Sequence, residues 1–330
     1  MALAQQFEKR LAALEFDVRY GATPPEEGSS GGSFWIVCPE TLVDGAGVRT
    51  ASFFCLQRWR PDLIVIDECH AVYEWGRDFR PSYAAVPDLV RDLPATQTLW
   101  LSATLTSRML RDLAACLTPT PEIVDHFALA EQLSIHVSHV PYRLRDQFLR
   151  SWRKTQREPG VVFASTRKHA EHLQSLVEPT LTFHAGFGRE EKVGKLLHLV
   201  SHPQHSVAAT SAFGMGLDFP WFRWALLVEP PPSLLSLAQW TGRVARQGSG
   251  RAWIWYDEND AARMAWLTRR SSYHHGEFEK VLEFLQTRRC RRQMLTTYFR
   301  GEQERSDRNC QQCDYCLGSG SGTLKTAVSL

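Results

Sequence analysis

The stretch LIVIDECH, Leu63 to His70, is a short apolar run that stops at two carboxylates. Four consecutive apolar residues without polar alternation fit a parallel strand buried on both faces. Carboxylates at the C-terminal edge of such a strand sit where phosphates and Mg²⁺ bind in open α/β sheets. Asp67 is therefore the candidate Mg²⁺ holder, acting through water because magnesium keeps several of its waters. Glu68 is the candidate for positioning and polarising an attacking water. A lone D-E-x-H also fits a surface turn, so the reading rests on what surrounds it.

Upstream, Phe34 to Cys38 (FWIVC) reads as a strand stopped by Pro39, after a Gly/Ser-rich loop over Glu26 to Ser33. Phe7, Leu11 and Leu14 repeat at helical spacing over Gln5 to Phe16. Downstream, Thr98 to Leu101 is another short apolar strand, followed at once by Ser102, Ala103 and Thr104. After Leu117 the text TPTPEIVDHF reads as a hinge. Strands then alternate with helices: Val161–Ser165, a helix over Arg167–Val177, Leu181–Ala185, a helix over Glu190–Val200, Ser206–Thr210 and Trp224–Val228. Repeated strand–helix units imply an α/β fold with a parallel sheet and helices on both faces. Two such units, a small appendage from about Arg263 and a flexible end over 318–330 make up the expected chain.

The composition is that of a globular protein: 330 residues, 43% hydrophobic and 22% charged, enough for two domains or slightly more. No apolar run is long enough to span a bilayer, and MALAQQFEKR carries no charged leader ahead of a hydrophobic stretch. The expectation is an intracellular protein with no membrane partner, cytoplasmic in a prokaryote or nuclear in a eukaryote. Net charge is +2, but Lys and Arg number 15 against 10 acidic residues from Thr241 onward. Arg288, Arg289, Arg291 and Arg292 fall together there, as a phosphate-binding face requires, although a solvated helix face has the same look.

Eight cysteines divide into two groups. Cys38, Cys55, Cys69 and Cys116 are scattered in apolar surroundings and read as buried structural thiols. Cys290, Cys310, Cys313 and Cys316 are clustered, the last three as C-x-x-C-x-x-C. Four thiolates at this spacing suit a closed tetrahedral Zn²⁺ site with no open position, hence a structural one. Between these regions, QWTGRVARQG (Gln239 to Gly248) gives Q-x-x-G-R-x-x-R. Arg243 and Arg246, three apart, are expected on one helix face, placed to supply charge to a γ-phosphate.

Taken in order, DECHAVYEWGRDFRPSY (Asp67 to Tyr83), LSATLT (Leu101 to Thr106), FASTRKHAEHL, FHAGFGREE, ATSAFGMGLDFPWFRWALLVEPP (Ala209 to Pro232) and the cysteine cluster closely resemble the RecQ helicases of superfamily 2. The resemblance runs from about Ala2 to Cys316. It implies two RecA-like parallel-sheet domains, the first incomplete, over 1–118 and 119–262, then a RecQ-like zinc-binding module over 263–317. It implies ATP with Mg²⁺ as cofactor, and single-stranded and forked DNA as partners. It adds His70 and Gln239 to the catalytic set, Gly216 and Asp218 to the nucleotide contacts, and Ser102 and Thr104 as coupling residues. Trp75, Phe79, Arg80 and Tyr83 of the aromatic loop, with Ser165, Arg167 and His184, are the implied DNA contacts. The same resemblance places Arg288 to Arg292 on a helix near DNA.

The pattern departs from the family at several points. The box reads D-E-C-H for the usual D-E-A-H, and Tyr73 and Glu74 replace polar residues. No G-x-G-K-[ST] phosphate loop occurs in the sequence, so backbone N–H groups and a Lys to cradle the phosphates are missing from it. The expectation is a fragment or one half of a split motor, with an upstream polypeptide supplying the loop. The alternative is an inactive remnant that binds DNA or a protein partner.

Overall fold

The computed structural model describes residues 11–25, 32–74, 80–93, 96–126, 128–177, 180–213, 219–268, 272–301 and 309–318. The first half of the helix expected at Gln5 to Phe16, residues 26–31 of the Gly/Ser-rich loop, Trp75, Phe79, Gly216, Asp218 and the tail from 319 lie outside the described residues. Residue contacts divide the chain into two units: Met1–His126 with Ser271–Tyr273, and Phe127–Arg270 with His274–Leu330. Among the described residues, no helix is long and apolar enough to cross a membrane.

In the first unit the strands pair in parallel twos. β1 (Asp17–Tyr20) runs beside β2 (Ser33–Ile36), and β3 (Leu63–Ile66) beside β4 (Gln97–Trp100). Helix Ala51–Trp59 ends where Arg60 takes a left-handed conformation, φ 48°. It buries Phe53 and Leu56 against Val43, Leu89 and Leu93, with Trp35 and Ile64 packed alongside. Thr106 starts helix Ser107–Cys116 by accepting the Met109 N–H at 3.2 Å, satisfying one of the donors a helix start leaves open.

Two expectations fail in this unit. β3 is not buried on both faces: Leu63 and Val65 are each 50% exposed. Side chains alternate across a strand, and only the Ile64 side packs against the helical layer. Of the scattered thiols, Cys69 is buried and Cys55 half-buried, but Cys38 and Cys116 are exposed. Cys38 caps one helix and Cys116 ends another, and solvent reaches element ends.

The second unit is built on six parallel strands in the order β5-β10-β9-β6-β8-β7. They are β5 (Leu133–His139), β6 (Gly160–Phe163), β7 (Thr180–Phe183), β8 (Ser206–Ala209), β9 (Trp224–Leu227) and β10 (Gly250–Tyr256). Central strands β6, β8 and β9 are buried at every position, because helices cover both faces. Gly160 is required under Trp224: a Cβ there would fall 2.2 Å from the indole. Sequence reading found β6 to β9 and missed β5 and β10. In LSIHVSH, Leu133, Ile135 and Val137 are buried and the residues between are not, the period-two signature of a strand covered on one face.

The C-terminal helices are part of this unit's core. Phe278, Val281, Phe284 and Leu295 join one apolar cluster with Leu133 and Ile135 of β5. The cysteine loop extends the sheet edge: Cys313 bridges Ile135 in parallel fashion, and the Asp314 N–H donates to Ile135 O at 3.0 Å. Buried Arg291 donates to both Asp314 oxygens, Nε to Oδ1 at 3.0 Å and Nη2 to Oδ2 at 3.1 Å. The Val137 N–H donates to Oδ2 as well, at 3.2 Å. Arg292 donates to Ala130 O at 2.8 Å and Leu133 O at 2.7 Å. Two members of the arginine cluster expected to face DNA therefore cap internal carboxylate and carbonyl groups instead. The charge run was legible, but not the acceptors that folding places beneath it.

Removing one member of a buried ion pair leaves the other uncompensated, at about 3 to 5 kcal/mol. Asp314→Ala is expected to destabilise the second unit by an amount in that range, read as a lower urea midpoint at unchanged m-value. Replacing both partners by apolar residues, Arg291→Met with Asp314→Leu, should cost less than Asp314→Ala alone. A double variant as unstable as the single one would remove the ion pair from this role.

Candidate functional site

The D-E-C-H box sits where β3 ends, and the β3–β4 ladder continues past it. The Leu101 N–H donates to Ile66 O and the Cys69 N–H to Leu101 O, both at 2.9 Å. This draws the box beside Ser102. His70 is fully buried, its Nδ1 3.0 Å from Ser102 Oγ and 3.2 Å from Glu68 Oε2. Ser102 Oγ in turn accepts the Thr104 N–H at 3.1 Å. His70 thus joins the box to the Ser-Ala-Thr stretch. Glu68 adopts φ 50°, a left-handed conformation that costs a non-glycine residue energy and is held by its surroundings. Asp67 Oδ1 accepts the Glu68 N–H at 2.9 Å.

Electrostatics follow from this crowding. Burial, and then the neighbouring Glu68 carboxylate, hold the Asp67 carboxyl above the usual range. Paired carboxylates that resist ionisation together are relieved by a cation between them. Burial pushes the Cys69 thiol up to about 12, which makes it inert packing. Glu74, which sequence reading set aside, is buried with Oε2 3.8 Å from His70 Nε2. In the aromatic loop, Arg80 Nη1 donates to Tyr83 OH at 3.2 Å, and Arg80 Nε lies 3.7 Å from Glu40 Oε1. Burial, then Glu40, raise the Tyr83 phenol.

In the second unit, the candidate residues gather at the C-terminal edge of the sheet. Ser165 and Arg167 follow β6. Thr166 caps helix Arg167–Gln174 by accepting the His169 N–H at 3.2 Å. Glu229, at the end of β9, clamps this turn: its Oε2 accepts the Ser165 N–H at 3.1 Å and its Oε1 lies 3.3 Å from His169 Nδ1. Burial alone would raise Glu229, but the His169 and Ser165 hydrogen bonds outweigh it and bring the carboxyl down to about 2. Exposed Arg167 reaches across to the next loop, where a Cβ on Gly186 would come within 3.2 Å of its Cδ.

His184, one of the expected DNA contacts, lies largely inside the fold. It is 4% exposed, with Nε2 2.9 Å from Glu171 Oε1 and Nδ1 accepting the Gly186 N–H at 3.2 Å. Its ring stacks on Phe187 at 3.8 Å. Both nitrogens and one ring face are used in shaping the loop after β7, where Arg167 packs. Glu171, Phe187 and Glu229 fall within motif stretches but had no role assigned from sequence, because their contacts depend on which loops the sheet brings together.

Gln239 lies half-buried on helix Leu234–Thr241. Arg243 and Arg246 do not share a helix face, because that helix ends at Thr241. They follow it in an irregular turn, in which Ala245 at φ 67° and Gly248 at φ 100° redirect the chain into β10. Arg243 is half-buried and Arg246 exposed.

The four clustered cysteines converge. Their Sγ atoms all lie within 4.8 Å of one another. Zn–S bonds of about 2.3 Å in a tetrahedron set sulfurs about 3.8 Å apart, so the set fits Zn²⁺ with no position left for a reactant. Cys290 caps helix Arg291–Arg300, and Cys313 is fixed by its bridge to β5. The Gln312 N–H donates to Cys310 Sγ at 3.4 Å, a typical support for a ligating thiolate.

Comparison with known proteins agrees with this arrangement. The RecQ zinc-binding family matches residues 258–317, and the helicase conserved C-terminal domain matches 142–248. The ATP-dependent DNA helicase RecQ of Bacillus subtilis (strain 168) is 26% identical over 294 residues, covering 85% of this chain and 48% of the relative. The RecQ-like DNA helicase blm-1 of Caenorhabditis elegans is 27% identical, covering 85% of this chain and 30% of the relative. The chain thus spans about half the length, or less, of these relatives. Among solved structures, S. cerevisiae Dbp5 bound to RNA and ADP BeF3 matches with TM-score 0.59 at 14% identity, over 86% of this chain and 79% of that one. Mycobacterium smegmatis helicase Lhr bound to ssDNA and AMP-PNP matches with TM-score 0.57 at 22% identity, over 83% and 41%. At these identities the two structures speak for the fold alone. The RecQ zinc-binding and helicase C-terminal matches and the RecQ relatives, together with the paired box, the six-stranded parallel sheet and the four-cysteine module, support a RecQ-like superfamily 2 helicase.

Proposed function

We propose that this chain is part of an ATP-driven motor that unwinds DNA, translocating 3′ to 5′ on a single strand. The observation that carries the reading is the contact of His70 with both Glu68 and Ser102, which ties the carboxylate pair to the stretch that couples it to DNA. Asp67 would hold Mg²⁺ through water, and the ion, when bound, would supply charge neutralisation at the phosphates. Glu68 orients the attacking water, and its strained backbone fixes the carboxylate in advance. Gln239, Arg243 and Arg246 supply polar contacts and positive charge to the γ-phosphate as it transfers, and Gly216 and Asp218 contact the nucleotide. Ser165 and Arg167, on a turn clamped by Glu229, contact the DNA backbone, with His184 in the neighbouring loop. Trp75, Phe79, Arg80 and Tyr83 meet the single strand by stacking and phosphate contact, and Ser102 and Thr104 pass that contact to His70.

The sequence holds no G-x-G-K-[ST] loop. Charge at the transition state accelerates transfer only once the phosphates are positioned, so in this reading a further polypeptide segment supplies that loop. The same observation favours a second reading, an inactive chain that binds DNA or a partner.

Three outcomes test these assignments. Phosphate release with single-stranded DNA should be negligible for the 330-residue chain and appear when a segment carrying G-x-G-K-[ST] is fused upstream. Glu68→Ala and Arg246→Ala should each abolish it. Turnover by the unfused chain that depends on Glu68 would show that ATP is held in another way, and a fusion without turnover would favour the second reading.

Atomic emission should find about one Zn²⁺ per purified chain. Cys313→Ser should lose the metal and loosen the loop from β5, read as faster amide exchange at Val137 and Asp314. Metal-free native protein would end this assignment.

Glu229 tests the clamp. Its folded carboxyl, at about 2, lies below its ordinary 4.5, so it stabilises the fold above that ordinary value. That contribution fades as pH falls towards 2. Glu229→Gln should therefore lower the urea midpoint near neutral pH, with the gap from the parent protein closing as the solution is acidified. A gap independent of pH would assign the loss to packing.

A further inference from the structure

Three histidines meet at the end of the six-stranded sheet opposite the motif-bearing loops. Helix Arg189–Ser201 returns the chain from the C-terminal end of β7 to the start of β8, so its last turn lies at the N-terminal edge of the strands. His198 belongs to that turn, His202 caps it, and His205 directly precedes β8. The His198 and His202 rings stack 4.0 Å apart with 13° between planes. The His205 ring lies 5.1 Å from the first and 5.3 Å from the second. His198 Nε2 and His205 Nδ1 are 3.1 Å apart. His202 Nδ1 is 3.0 Å from His198 O and 3.1 Å from Ser201 Oγ.

We propose that His198, His202 and His205 form a second metal site, separate from the cysteine cluster, that takes a divalent first-row transition ion such as Zn²⁺. Two imidazole nitrogens on one tetrahedral zinc stand about 3.3 Å apart, given Zn–N bonds near 2.0–2.1 Å. His198 Nε2 and His205 Nδ1, 3.1 Å apart, are close to that separation. In the metal-free protein one of them carries the hydrogen between them. On binding, both lone pairs turn to the ion and the hydrogen moves to the other nitrogen of its own ring, so no proton is lost overall. His202 is prepared differently. Its Nδ1–H faces the carbonyl of His198, which leaves the lone pair on Nε2, and this is the outer-sphere hydrogen bond that ligating histidines usually make. For His202 Nε2 to serve as the third ligand its ring must turn from the contact with His198 O, and water completes the shell.

The three rings are half-buried, so water reaches them but the side chains are already ordered. An all-imidazole set selects zinc, nickel or copper over magnesium and calcium, which want oxygen. The bound ion would pin the end of helix Arg189–Ser201 to the start of β8 and leave the motif-bearing edge untouched.

The test is a calorimetric titration of Zn²⁺ into the untagged, zinc-loaded full chain. One additional equivalent with a micromolar Kd is expected. His198→Asn and His205→Asn should each weaken it by about ten-fold or more while keeping the parent circular dichroism spectrum. His172→Asn, on an exposed histidine paired with Asp146 at 2.6 Å, should leave it unchanged. As a second readout, added Zn²⁺ should raise the melting temperature of the parent protein and not of His205→Asn. Absence of the extra equivalent, or equal affinity in the parent and both ligand variants, would overturn the proposal.

Discussion

The Asp314 carboxylate is the point on which the second unit's C-terminal architecture turns. One oxygen pair holds the buried Arg291 guanidinium, and one of those oxygens also takes the Val137 N–H of β5. β5 ends the sheet, and an uncovered strand edge is a row of unsatisfied donors and acceptors. The cysteine loop covers part of that row through Ile135, and Arg292 covers carbonyls ahead of it. A buried ion pair repays its desolvation only when every remaining hydrogen-bonding group finds a partner. Arg291 meets that condition by also donating to carbonyls at the end of the preceding helix. The metal module is therefore an extension of the sheet it abuts, sharing its core.

A comparable economy appears at the box of the first unit. One buried imidazole, His70, takes contacts from Glu68 and Ser102 on one nitrogen and faces Glu74 with the other. Any change at Ser102 or Glu68 must be felt through that ring, because it has no solvent to turn into. The left-handed backbone at Glu68 adds local strain at the residue proposed to act on water. Rigid placement of this kind is what lets a carboxylate act without reorganising.

The second unit separates tasks between the two edges of its sheet. Loops at the C-terminal edge carry Ser165, Arg167 and Glu229, and crowd together because parallel strands all deliver their ends to one side. Charged groups there are paired: Arg145 is held by Asp260, with Nη2 to Oδ2 at 2.6 Å, and Tyr142 N–H by Asp257 at 2.8 Å. The N-terminal edge carries the histidine cluster, where sequence neighbours on a helix end meet the first residue before a strand.

How much was legible follows from the range of each interaction. The carboxylates of the box, the Ser-Ala-Thr stretch, the cysteine spacing and four buried strands are local patterns, and the sequence by itself determined them. It also carried the family, because motif order along the chain survives without coordinates. Tertiary structure alone decided the fate of Arg291 and Arg292, which look like a DNA-facing cluster until Asp314 and the carbonyls near β5 are brought under them. It decided that His184 is buried against Glu171 and Phe187, that Arg243 and Arg246 lie past the end of the helix, and that Leu63 and Val65 face outward. Each depends on a partner distant in sequence or on where a helix stops. A charge or an apolar side chain states its preference locally, but only the packed fold supplies the group that satisfies it.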